Sequence, residues 1–177
     1  MKLYLRYFEI HLKSQMQYKI SFLLTALGQF FTAFSAFLGV YFLMERFHSV
    51  NGFTFSEVLL CFSTVLMAFS LAECFVRGFD TFAGIISNGE FDRMMVRPRG
   101  LIFQVLASKI EFTRIGRLLQ AILMMIYAIS ASEILWTAGK IFTLILMIVS
   151  GFVVFSGLFI LYATLCFFTL EGLEFMN

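Results

Sequence analysis

Few side chains in this sequence are of the types that do chemistry, and those few are not grouped as chemistry requires. The two histidines, His11 and His48, stand far apart and unaccompanied. No H-E-x-x-H or G-x-S-x-G pattern occurs, and a membrane protease or hydrolase would need such a cluster. Cys61, Cys74 and Cys166 have neither metal-ligand spacing nor a disulfide pattern, and they read as small apolar packing residues. No G-x-x-x-x-G-K-[ST] loop is present, so the chain is no ATP motor by itself. The expectation is no catalytic residue, no metal and no cofactor bound by this chain. Glu73 is the one acidic group well inside an apolar stretch, and an ionisable residue there is a candidate for a proton relay. It lies about 5 Å from the end of its stretch at 1.5 Å per residue. Arg77 follows four positions on, so an ion pair on one helix face is the plainer reading.

The elements that must carry these residues are apolar. The sequence is 60% hydrophobic and 14% charged, against about 45–50% and about 25% in an ordinary globular domain. Residues 20–44 and 141–170 contain no Asp, Glu, Lys or Arg at all. About 20 apolar residues suffice to cross a bilayer, so each run is a span. Two weaker runs join them, and the spans fall at about 20–44, 57–76, 115–136 and 141–166. The fold class is all-α: one polytopic membrane helical bundle over residues 1–177. The mixed residues 1–19 ahead of the first run argue against a cleaved signal. They suit an interfacial helix, with Leu5, Phe8, Leu12 and Met16 on one face and Lys2, Arg6, Glu9 and Lys13 on a neighbouring one. Within the spans, Gly28, Thr32 and Ala36 share a face, with Ser35 and Gly39 beside it, as do Ser150, Gly157 and Thr164. Small residues let helices approach closely in lipid, so these faces predict packing within the chain or against a partner.

Charge gives orientation. Lys and Arg cluster in 1–19 and again in 77–117, with only Arg46 and Lys140 in the other connections. By the positive-inside rule the N-terminus and the 77–117 segment are cytoplasmic. The C-terminus is then cytoplasmic too, although it carries Glu171 and Glu174 and no base. A net charge of +2 is too small to suggest a nucleic-acid partner. The chain stops after an apolar stretch and reads as a fragment of a longer protein.

The informative segment is the cytoplasmic one, about 77–114. Arg77, Gly78, Phe79, Asp80 and Phe82 are followed by Gly89, Glu90, Phe91, Asp92 and Arg93, then Arg97 and Pro98. A solvated loop has no need of three phenylalanines. Gly84, Gly89 and Pro98 punctuate short helices. After Pro98, Leu101, Val105, Phe112, Ile115 and Leu119 keep helical spacing, which predicts one helix along the inner surface that turns into the third span. Together these elements make a platform suited either to docking a protein or to anchoring on anionic lipid headgroups.

At this segment the sequence resembles the permease subunits of type-2 ATP-binding-cassette (ABC) exporters, a bacterial group of about six spans. Gly78-Phe79-Asp80, Gly89-Glu90-Phe91-Asp92-Arg93 with Arg97-Pro98, and Glu111, Arg114, Gly116 and Arg117 carry the likeness. The closing Glu171-Gly172-Leu173-Glu174-Phe175 fits as well. The resemblance implies a coupling helix between the second and third spans that sits on a separate ATPase. That role falls on residues about 78–99, with Gly78, Phe79, Asp80, Gly89, Glu90, Phe91, Asp92, Arg93, Arg97 and Pro98 as its residues. It also implies ATP and Mg on that ATPase, a second permease, and a place in the bacterial cell membrane. The chain departs from the family in lacking a fifth and sixth span. A non-transporting membrane scaffold that recruits a soluble partner through the same platform is the rival reading.

Overall fold

The computed structural model describes residues 2–47, 52–132 and 134–166. His48, Glu133 and 171–175 lie outside the described residues. The described chain is helical: α1 (Lys2–Met16), α2 (Lys19–Phe47), α3 (Phe55–Val76), α4 (Phe82–Ser87), α5 (Glu90–Met95), α6 (Leu101–Ser108), α7 (Ile115–Ala131) and α8 (Ala138–Leu165). Arg77–Phe79 and Phe112–Arg114 are single 3-10 turns. Four stretches are long and apolar enough to cross a membrane: Lys19–Phe47, Phe55–Ser87, Phe112–Ala131 and Ala138–Leu165. This is an all-α, polytopic membrane bundle.

Local chemistry accounts for the helix ends and for the polar groups inside the spans. Thr54-Phe55-Ser56-Glu57 opens α3: the Glu57 carboxylate accepts from the Thr54 N–H at 2.8 Å and from its hydroxyl at 2.9 Å. This is one half of a capping box. In α2 the hydroxyls of Thr25 and Thr32 donate to the carbonyls of Ser21 and Gly28, each at 2.8 Å. In a hydrocarbon setting such hydroxyls need an internal acceptor. The helix of the third span stops at Ala131, short of the expected 136, because Ser132 turns extended (φ −82°, ψ 136°).

Backbone contacts group the chain into two compact units. One comprises Lys19–Leu71 and Thr113–Phe152. Here Gly116 of α7 lies directly against α2: a Cβ on it would fall 1.9 Å from the Ala26 carbonyl oxygen. Leu59, Met124 and Ala128 form its core, with Phe37, Phe55 and Phe62 packed around. The small faces named from the sequence lie elsewhere. Gly28, Thr32 and Ala36 are exposed on α2, and so is Ser150 on α8; Gly157, half-buried, has open space where a side chain would be.

The other unit comprises Met1–Tyr18, Ala72–Phe112 and Val153–Asn177. It holds α1, α4, α5 and α6, and Tyr162 of α8 with Cys166 just beyond its end joins a core with Ala83 and Ile86. One expectation fails here. The run from Leu101 to Leu119 is two helices, not one. Lys109 is extended (φ −146°, ψ 122°), which ends α6 at Ser108. The break buries Ile110 and Phe112. Its freed backbone groups are taken up by α1: the Gln15 amide donates to the Ile110 carbonyl and accepts from the Phe112 N–H at 3.1 Å. Phe8 stacks edge-on against Phe112 at 4.7 Å, and His11 Nε2 donates to the Ala107 carbonyl at 2.9 Å. The Phe8 side of α1 thus packs on protein.

Candidate functional site

The 77–114 segment is built from its start at Arg77. As α3 ends, the Arg77 guanidinium meets the Glu73 carboxylate at 2.9 Å through its terminal nitrogen. Its Nε lies 3.1 Å from Asp80 and 3.6 Å from Glu111. That N–H is not aimed along a hydrogen bond at either carboxylate, so these two contacts are Coulombic. Lys109 completes the group, 2.9 Å from Glu111. Glu73 is 4% exposed. A buried carboxylate of this kind requires a partner of opposite charge, and Arg77 supplies it.

Gly78 follows and is buried against α6. A Cβ there would sit 2.1 Å from the Val105 carbonyl oxygen, so only hydrogen fits. Phe79 and Phe82 are buried beside it, and Asp80 is half-buried. Gly78, Phe79 and Asp80 therefore form an internal knot where α3 meets α6.

The chain then turns outward. Gly89 has φ +68° and joins α4 to α5, a left-handed conformation that disfavours any residue with a Cβ. The N–H of Asn88 donates to the Gly84 carbonyl and that of Gly89 to the Ile86 carbonyl, each at 3.0 Å, closing α4. Phe91 stacks edge-on against the buried Phe82, centroids 5.7 Å apart, which fixes α5 on the knot. Glu90, Asp92, Arg93, Arg97 and Pro98 are exposed, with Met95 and the 84% exposed Val96 among them. One side chain ties this outward turn together. The Gln104 amide nitrogen donates to the carbonyls of Met94 and Arg99, both at 3.0 Å, across the Val96–Pro98 bend.

The residues singled out from sequence thus fall in two groups: three in the knot, the remainder on or beneath a charged, partly apolar surface. Sequence reasoning missed Gln15 and Gln104, whose amides hold backbone groups that no spacing rule reveals. In the other unit it missed Gln29, whose side-chain oxygen accepts from Arg114 at 2.7 Å and from Arg117 at 2.9 Å. Arg117 also lies over the Phe69 ring at 5.6 Å. Among the described residues no group of His, Cys, Asp and Glu could hold a metal ion. Cys61, Cys74 and Cys166 form no disulfide.

The profile of the family described as "ABC-2 family transporter protein" matches residues 30–177, most of the chain and all of this segment. The chain belongs to that family. It is a multi-pass membrane permease component of an ABC transporter. No curated protein and no solved structure matches the permease. The knot, the outward turn and the four apolar helices are therefore features of an ABC-2 permease.

Proposed function

We propose that this permease couples ATP hydrolysis on a separate ABC ATPase to the export of substrate, with residues 78–99 as the coupling element. In this reading the N-terminus and the 77–114 segment face the cytoplasm of a bacterial cell, as the clusters of Lys and Arg suggest. ATP and Mg are held by the ATPase, since this chain carries no phosphate-binding loop. A second permease subunit completes the path, and substrate moves along the interface between the two.

The observation that carries the reading is the division between knot and surface. A coupling element must present side chains outward and must also transmit force to a span. Glu90, Asp92, Arg93 and Arg97 are outward. Behind them the Phe82–Phe91 contact leads to the knot, and the Arg77–Glu73 ion pair leads into α3. Force on α5 reaches α3 through packed groups and not through a slack loop.

The test is co-purification of the detergent-solubilised permease with the ATPase encoded beside it. Arg93→Glu combined with Glu90→Arg changes only exposed charges, so folding is kept. Loss of the ATPase with these substitutions supports coupling through α5. Undiminished binding, or no binding by the wild type, sinks it and leaves the scaffold or lipid-anchor reading in its place.

A further inference from the structure

A small cavity with positive charge at its rim lies beside the outward turn. Its volume is about 130 Å³, and it is framed by α1, by α6 and by the bend that joins α5 to α6. Arg97 and Arg99 line it from the bend, and Tyr7 lines it from α1. Met94 and Phe103 give it an apolar wall. Two sets of contacts fix its shape. Tyr7 packs edge-on against Phe103, ring centroids 6.5 Å apart. The Gln104 amide nitrogen, bonded to the Met94 and Arg99 carbonyls, holds the bend against α6. The Arg99 N–H donates to the Arg97 carbonyl at 2.7 Å and tightens the bend further.

Three exposed side chains at this cavity have donors to spare. Among the described residues, the Arg97 and Arg99 guanidiniums meet no carboxylate and the Tyr7 hydroxyl meets no acceptor. The other side-chain donors of the wall are spent. Ser108 Oγ donates to the Val105 carbonyl at 2.6 Å, and the Gln104 amide is bonded as described.

Two guanidiniums and a hydroxyl call for an anion with several acceptor oxygens. A phosphate monoester carries about −1.5 to −2 charge at pH 7 and three strong acceptor oxygens, which matches two fixed positive charges. A carboxylate brings one charge and two oxygens. The cavity is smaller than the ~150 Å³ that encloses a benzene ring and well below the ~300 Å³ at which drug-sized pockets begin, so it takes a head group and not a nucleotide.

A soluble phosphate ester and a membrane lipid both present that group, and the surroundings favour the lipid. Met95, Val96 and Ile102 are exposed on the same segment, and Ile10 is exposed about one turn beyond Tyr7 on α1. Apolar side chains beside exposed bases suit the boundary between head groups and acyl chains. We propose that this cavity binds the phosphate monoester head of a membrane lipid. Arg97 and Arg99 take the phosphate oxygens, the Tyr7 hydroxyl donates to one of them, and the esterified carbon lies against Phe103 and Met94. Arg97 also belongs to the coupling element, but the site needs no ATPase.

The test titrates the full chain in detergent micelles with dioleoyl phosphatidic acid or dioleoyl phosphatidylglycerol and reads bound lipid by native mass spectrometry. Wild type should hold phosphatidic acid about tenfold more tightly, because the diester of phosphatidylglycerol lacks the second charge. Arg97→Gln and Arg99→Gln each remove a guanidinium from an exposed position, so folding is kept, and each should erase most of that preference. Tyr7→Phe keeps the ring and should weaken phosphatidic acid about threefold. Arg6→Gln removes a charge outside the cavity and should leave the preference unchanged. Equal retention of the two lipids by wild type overturns the proposal. An equal loss with Arg6→Gln also overturns it, since the attraction is then to the basic surface at large. Displacement of phosphatidic acid by equimolar glycerol phosphate overturns the lipid source and assigns the cavity to a soluble ester. A preference that survives both Arg97→Gln and Arg99→Gln overturns the site and leaves these arginines to an acidic protein partner. No ATPase is present in the assay, so its failure leaves the coupling reading untouched.

Discussion

The two compact units each turn on a glycine that admits no side chain, and they differ in what surrounds it. Gly78 lies against the Val105 carbonyl within a setting of ions and amides: Arg77 with three carboxylates, Gln15 and Gln104 bonded to backbone carbonyls. Gly116 lies against the Ala26 carbonyl beside the Gln29 contacts with Arg114 and Arg117, and farther along α7 the unit closes on a core of Leu59, Met124 and Ala128 with phenylalanines around it. Around Gly78 the contacts are mainly directed ones between particular atoms, whereas the second unit adds to the Gln29 contacts a close helix approach and an apolar core. Directed contacts fail one at a time when a partner is removed, whereas packing fails when volume is added.

That difference can be broken by substitution. Arg77→Met leaves Glu73 buried without its cation, which should remove about 3–5 kcal/mol from the unit that holds it. Hydrogen exchange should then rise across 72–112 more than across 115–131. Adding Glu73→Leu should restore much of the loss, because a well-packed apolar pair often matches a buried ion pair. Gly116→Ala is the converse test. Its methyl group has no room beside Ala26, and overpacking of this kind costs about 1–3 kcal/mol or more. Exchange should rise first across 115–131, and equal effects of both substitutions on both regions would mean the units do not fail separately. Gly89→Ala should cost about 1–2 kcal/mol for a left-handed backbone with a Cβ. It should loosen α5, read as faster exchange at 89–95, and weaken ATPase binding without altering the spans.

The smallest effect concerns α1. Lys13, bonded to Glu9 at 2.6 Å, holds the Glu9 carboxyl below the usual carboxylate range. A lowered carboxyl stabilises the folded state above its unfolded pKa, and that contribution is lost as pH falls through the folded value. Both side chains are well exposed, so acidification from pH 7 to pH 5 should leave the helicity of α1 unchanged. A change there would show that α1 depends on this pair rather than on Phe8, His11 and Gln15.

The spans were legible because freedom from charge over twenty or more residues has one physical use. The Arg77–Glu73 pair was legible because four positions is one helical turn. The third carboxylate on Arg77 was not, since Glu111 lies on the far side of α4, α5 and α6. The break at Lys109 was hidden because Leu101, Val105, Phe112 and Ile115 keep their period through it. What interrupts the helix is Gln15 of α1, whose amide replaces lost backbone partners. The exposed face of Gly28, Thr32 and Ala36 shows the limit of small-residue patterns. The tight contact of α2 instead uses Ala26, and its partner Gly116 was noted only for family likeness.

The clamp between Gln15 and the Ile110 carbonyl has a consequence in time. The two residues are 95 positions apart. At about 5–20 residues per second of synthesis, α1 emerges roughly 5–20 s before the strip of chain it holds. Throughout that interval Phe8 and Gln15 have no partner within the protein, and the membrane surface is the nearest apolar host. α1 is thus made well before the strip it docks on and is seated only once that strip appears, so for these two segments the order of synthesis does not set the order of assembly.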